Sequence, residues 1–325
     1  MATLKWGLID RSGKQVVPCR YDFLWPVSLA GVFPATLNGT WRYYNLDESI
    51  AFPGEFQDAF THREGRAVVK LKGKERFINE CGAAVGTASF DSLDQLSEGM
   101  SVAERKGLFG YVNQDGTMVT PFHFPQADAL SCGRGLVRSK EWKWGFVDRT
   151  GKVAIPLQFD DAESFCDDLA YVQKKTDDGE ITESGYINLA GEYAFRADGW
   201  GCGGHFSEGL ASATFMYDGE LKQGYLNRRG ELAIEPQFDH ASLFHEGRGC
   251  VKIAGRWGAI DPSGKLVIQP RFKDSFQFFE GLAEFNKKDG GQYGYIGTDG
   301  RELIPIQFDH ACEFRNGFAR VAMRQ

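Results

Sequence analysis

The chain has 325 residues, 42% hydrophobic and 25% charged, the balance of an ordinary soluble domain. Lys and Arg number 37 against 44 Asp and Glu, a formal charge of −7, and the basic residues are scattered. That excludes the basic patch on which nucleic acid or an anionic membrane would dock, and no apolar run approaches the ~18 residues of a spanning helix.

Read in chain order, the sequence repeats itself. Trp6 to Val17, W-G-L-I-D-R-S-G-K-Q-V-V, returns as W-G-A-I-D-P-S-G-K-L-V-I at Trp257 to Ile268. Gly13, Gly82, Gly116, Gly151, Gly191, Gly230, Gly264 and Gly300 share one position, with Glu48 in the second slot, at steps of 35, 34, 34, 35, 40, 39, 34 and 36 residues. A fixed period of this size denotes a repeat architecture. One repeat domain over 1–325 is expected, divided at about 5–40, 41–75, 76–108, 109–143, 144–184, 185–223, 224–256, 257–292 and 293–325.

Each unit opens on an aromatic-Gly strand, as at Trp144-Gly145-Phe146-Val147-Asp148. A polar turn follows, Asp148 to Gly151 or Asp261 to Gly264, in which the glycine supplies a positive φ. The next strand ends in proline, as at Val153-Ala154-Ile155-Pro156. An F-D-x-A element comes next (Phe159-Asp160-Asp161-Ala162, Phe238-Asp239-His240-Ala241, Phe308-Asp309-His310-Ala311), then F-x-E-G-L-A, as at Phe206 to Ala211. Units two and three depart most, with Trp41-Arg42-Tyr43 and Arg76-Phe77-Ile78 in place of W-G-Y and G-Y-I.

Alternation along these strands leaves apolar residues on both faces, so each sheet is expected between neighbours. Gly258 is expected to let the next sheet approach closely. The predicted fold is all-β, a tandem array of about nine three-stranded antiparallel units. Two arrangements satisfy it: a closed propeller-like ring, with the terminal strands paired to each other, or an open β superhelix.

These elements resemble the bacterial WG-repeat, or KWG-repeat, family over essentially the whole chain. The resemblance implies a scaffold, admits a toxin-neutralising role, and supplies no catalytic residues to carry over.

Several side chains invite a chemical reading. Asp22, Asp91, Asp160, Asp239 and Asp309 share one phase; they form either a ring of acids for cations or sugar hydroxyls, or turn caps, and capping is favoured. His240, His310 and His245 are read as rim residues rather than a metal cluster. Trp6, Trp144 and Trp257 (with Tyr293 at the same phase) are read as core, stacking between units. The seven cysteines are odd in number and differ in phase, so free thiols in a reducing cytoplasm are expected. The opening M-A-T-L-K-W-G carries no secretory pattern.

Two insertions flank Gly191. Lys174 to Ser184 is read as a solvated loop. Arg196 to His205, R-A-D-G-W-G-C-G-G-H, sets Trp200, Cys202 and His205 on a glycine-rich segment, the expected partner-binding residues where the pattern breaks. A catalytic use of this loop lacks a visible third group to orient a Cys–His pair. The expectation is therefore a non-enzymatic module that binds a protein, with no metal and no cofactor. A glycan or cell-wall binder is the alternative.

Overall fold

The structure is a computed structural model that describes residues 3–197, 204–217, 219–286 and 291–325. Among them the strands form nine antiparallel sheets, four of four strands and five of three. No helix there is long and apolar enough to cross a membrane. The chain divides into two compact units, one of 1–61, 212–225 and 232–325, the other of 62–211 and 226–231.

In the second unit, one sheet shows how repeats become sheets. Its strands are Gln126–Ala127, Arg134–Arg138, Trp144–Asp148 and Val153–Phe159, in that order. The first two come from one repeat and the last two from the next. The L-A strand thus pairs with the following W-G strand, in register from Arg134↔Asp148 to Arg138↔Trp144. The expected three strands gain a fourth, because the F-D-x-A segment also pairs, here through Gln126↔Arg138 and Ala127↔Val137.

Within the first unit, the same scheme joins the chain's two ends. Leu4–Asp10 pairs with Phe318–Arg324 along its whole length, from Leu4↔Arg324 to Asp10↔Phe318. Thr3 and Gln325 exchange backbone hydrogen bonds of 3.0 and 3.1 Å. The terminal pairing on which the closed alternative rests is present.

Gly13, Gly151 and Gly264 adopt φ of +84°, +80° and +85°, as their turn requires. Glu48, in the glycine's slot, holds φ +66° without being glycine. The turn also makes a packing contact: a β-carbon on Gly264 would sit 3.0 Å from Ile234 Cγ2, and one on Gly191 3.1 Å from Ile155 Cγ2. Each of these glycines therefore lies against the V-I-P strand of the sheet before it.

The W-G glycine serves a different purpose from the one expected. A β-carbon on Gly258 would collide with the Ile268 carbonyl oxygen, and one on Gly145 would lie 2.7 Å from that of Ile155. The close neighbour is its own hairpin partner, not the next sheet. The register shifts at that point, between Trp257 and Ala259, and brings the bulged backbone over the glycine.

The insertion 174–184 is mostly strand rather than loop. Ala170–Lys175 pairs with Ile181–Ile187 in a lengthened hairpin, and only Thr176 to Glu180 turn. The D-G in that segment supplies the turn, and Ile181 and Thr182 extend the strand.

Candidate functional site

The repeat phases first have to be separated into those that hold the array and those that face a ligand. The Asp phase holds it. Lys143 Nζ lies 2.5 Å from Asp160 Oδ1, and the Lys175 amide donates to Asp160 Oδ2 at 2.8 Å. Asp22 is bonded likewise by Lys5 and the Asn38 amide, and Asp91 by Lys74 and the Lys106 amide. Lys222 bonds Asp239 at 2.8 Å, and the Arg324 amide caps Asp309 at 2.8 Å. Each of these lysines stands 17 residues before its aspartate, on or immediately before the aromatic-Gly strand. These contacts hold the carboxyls of Asp22, Asp91, Asp160 and Asp239 below the usual range, the lysine bond acting first. The carboxylates do cap backbone amides, but amides of a hairpin 15 or 16 residues further on rather than of their own turn. Among the described residues no group of three His, Cys, Asp or Glu is placed to hold a metal ion.

Three further holding devices went unread in the sequence. The tyrosine after the W-G phase is buried, and its hydroxyl donates to a backbone carbonyl: Tyr111 to Asp128, Tyr225 to Ser242 and Tyr295 to Cys312, at 2.6–2.7 Å. Burial pushes these phenols well above their ordinary pKa. The glutamate of F-x-E-G caps the next repeat's turn. Glu64 accepts from the Glu98 and Gly99 amides, and Glu246 from those of Glu280 and Gly281, at 2.6–2.9 Å. The third is the side chain one residue earlier: Ser97 bonds the Leu130 carbonyl, Ser131 that of Phe165, and His245 Nδ1 that of Phe278. The 34-residue spacing of F-x-E-G was the available signal for the second and third.

The W-G tryptophans are half-buried, packed against the margins of the core clusters. In the second unit the Arg138 guanidinium lies 5.4 Å from the Trp144 ring and 4.0 Å from Trp142, which is 68% exposed. In the first unit, His240 meets Trp257 at 5.2 Å and His310 meets Trp6 at 5.6 Å. There the rings continue as a run, Tyr293, His310, Trp6, Phe23, Trp25 and Phe60, at centroid spacings of 5.1–5.7 Å. Arg320 lies over Trp6, Phe23 and Trp25 at 5.5–5.8 Å.

Of the expected partner-binding residues, Trp200 and Cys202 lie outside the described residues. His205 is exposed and does meet a thiol and a carboxylate, though neither that the sequence suggested. Its Nδ1 is 3.8 Å from Cys166 Sγ and 3.5 Å from Glu163 Oε2. Burial raises the Cys166 thiol, and burial also raises Glu163, with His205 opposing. Both partners face the same ring nitrogen. A nucleophile–base–orienter relay needs one on each nitrogen, so this trio is not arranged as a catalytic triad. The described cysteines, Cys19, Cys81, Cys132, Cys166, Cys250 and Cys312, are free thiols.

The WG containing repeat profile matches residues 6–41, 41–74, 109–141, 144–175, 224–257, 257–290 and 293–324. The chain belongs to the WG containing repeat family. Within this WG-repeat chain the matched spans take in unit two, despite Trp41-Arg42-Tyr43, and pass over units three and six. A search of curated proteins found no match. Among solved structures, the crystal structure of a eukaryotic initiation factor aligns with 93% of this chain and 94% of its own at 10% identity and a TM-score of 0.58. BamB from Moraxella catarrhalis covers 92% and 95% at 13% identity and a TM-score of 0.41. The WD40 beta propeller domain of Doa1 covers 70% and 87% at 12% identity and 0.29. Of these three, the initiation factor is the one near enough to share the fold, and at its identity the likeness extends to fold alone.

Proposed function

We propose that this WG-repeat chain is a non-enzymatic scaffold that binds a protein partner. One observation carries the reading. The recurring polar side chains are engaged in holding the array, whereas the hairpin around residues 214–222 presents Met216, Tyr217 and Leu221 at 70%, 50% and 66% exposure. A scaffold with apolar side chains on an exposed hairpin is built for contact. The reading needs no metal or cofactor and assigns the work to the cytoplasm. A toxin-neutralising task is a special case, in which the partner's own activity falls on binding.

The test is crosslinked co-purification of the native chain beside a Met216→Asp/Leu221→Asp variant of unchanged melting temperature. A defined protein retained by the first and lost by the second is the expected result. Equal retention by both, or none by either, overturns the proposal.

A glycan binder is the second reading, favoured by the half-buried ring run from Tyr293 to Phe60. Tryptophan fluorescence that shifts with a saccharide, and stops shifting in Trp6→Ala, would support it; silence across a panel of saccharides removes it.

A further inference from the structure

Hairpins that join an L-A strand to the next W-G strand turn on two residues of positive φ at Asn38-Gly39, Lys72-Gly73, Lys106-Gly107 and Ala254-Gly255. In the second unit, the hairpin between Arg134–Arg138 and Trp144–Asp148 is one residue longer, for Arg138 pairs with Trp144 where Lys252 pairs with Trp257. Its turn, Ser139 to Lys143, reproduces that of Asp148 to Lys152. The Trp142 amide donates to the Ser139 carbonyl at 3.1 Å, as the Gly151 amide does to that of Asp148 at 2.9 Å. Ser139 Oγ accepts from the Glu141 and Lys143 amides, as Asp148 Oδ1 does from those of Thr150 and Lys152. Trp142 therefore stands in the glycine's position, with φ +64° against +80° at Gly151. A bulky side chain is rare there, because its β-carbon crowds the backbone in the left-handed region.

The side chain so placed does not fold into the core. Trp142 is 68% exposed, and no other tryptophan among the described residues is as open. Its ring lies 4.0 Å from the Arg138 guanidinium, which also stands 5.4 Å from Trp144. Contact with two indoles holds the guanidinium and leaves its N–H donors unspent. Arg138 makes no hydrogen bond and no ion pair among the described residues, and its Nε is buried without a partner. Gln126, its neighbour on the other strand, carries no charge. The acid of the turn, Glu141, is engaged elsewhere: bonds to its own amide and to Ser139, with Lys140 nearby, hold its carboxyl below the usual range.

We infer that Arg138 and Trp142 bind a carboxylate on an acidic peptide segment of a protein partner, one whose neighbouring side chain is apolar. A guanidinium with free donors takes a carboxylate in a two-bond fork. The exposed indole takes the apolar neighbour. One guanidinium suits the single charge of a carboxylate, whereas the chain's formal charge of −7 repels a polyanion. The strained turn then has a use: glycine would relax the backbone but leave Arg138 without its outer ring. The inference rests on the scaffold reading in expecting a protein partner, but it does not use the hairpin around 214–222, so either contact can fail alone.

Capped heptapeptides that alternate leucine with glutamate, with glutamine or with phosphoserine, titrated into the full chain by calorimetry, test it. The glutamate peptide should bind roughly tenfold more tightly than the glutamine peptide, and more tightly than the phosphoserine one. Arg138→Ala should abolish the preference for glutamate. Arg138→Lys should weaken the glutamate peptide about threefold, because an ammonium lacks the fork. Trp142→Gly copies the Gly151 turn and so keeps the fold; it should weaken that peptide about fivefold. Met216→Asp/Leu221→Asp should leave its affinity unchanged. Equal binding of the glutamate and glutamine peptides, tighter binding of the phosphoserine peptide, native affinity in Arg138→Ala or Trp142→Gly, loss of affinity in Met216→Asp/Leu221→Asp, or no heat with any peptide from a chain whose circular dichroism is native, overturns the assignment.

Discussion

The corner at Lys143 and the corner at Arg256 occupy the same place in two repeats and do opposite things. At the first, Asp160 lies between Lys143 and the Lys175 amide and closes the corner. At the second, Lys273 stands in the aspartate's place, Arg271 stands where the other repeat has Gln158, and both line a cavity. The surrounding frame is nearly the same: Trp144↔Phe159 and Trp257↔Phe272 pair alike, and both W-G glycines lie against a partner carbonyl. The two corners differ in the side chains and not in the strand pairing that holds them.

The largest expected effect lies in the shared frame. Gly145→Ala and Gly258→Ala each press a β-carbon into backbone that cannot swing aside, so each should cost about 3 kcal/mol in urea unfolding. A loss at one corner and not the other would break the equivalence. Next is Asp160→Lys, which copies the eighth repeat's charge into the fifth. It removes a half-screened ion pair and a backbone cap and sets two ammonium groups together, a loss of about 2 kcal/mol.

The smallest effect is in the acid limb. The folded pKa of Asp160 lies below its unfolded value, so its contribution is fully present above about pH 4 and is lost as pH falls through the folded value. Lys143→Met removes the largest cause of that shift. The gap between native chain and variant should therefore narrow as pH falls from about 4 through the folded value of Asp160, and a gap that does not narrow with acid would exclude this account.

Much of the frame was legible because it is local. Gly13 and Gly264 mark turns through their own φ, and the alternation at Trp144 to Val147 follows from the pleat. What escaped depends on chain segments meeting across repeats. Gly258 points to a neighbouring sheet in the sequence because nothing in an alternating pattern announces a bulge. The Lys143–Asp160 spacing is visible once its meaning is known, but 17 residues is neither a turn nor a full period. Cys166 and His205 are 39 residues apart and meet through packing between repeats, so the loop suggested Cys202 as the histidine's neighbour. The substitution at Lys273 could be noticed only after the pairing at Asp160 had been seen in space.

Sheets and repeats do not share borders. The sequence is copied in steps that begin at the tryptophan, but the folded sheet begins at the F-D-x-A segment before it, so heredity and folding divide the chain differently. A gene duplicated from tryptophan to tryptophan delivers the closing half of one sheet and the opening half of another, and whole copies can be added while every new edge finds a mate. A cut at the tryptophan strands two half-sheets, whereas a cut just before F-D-x-A removes a finished one. Modules for building longer or shorter arrays should therefore be divided there, and substitutions on an L-A strand should be compensated in the repeat that follows rather than in their own.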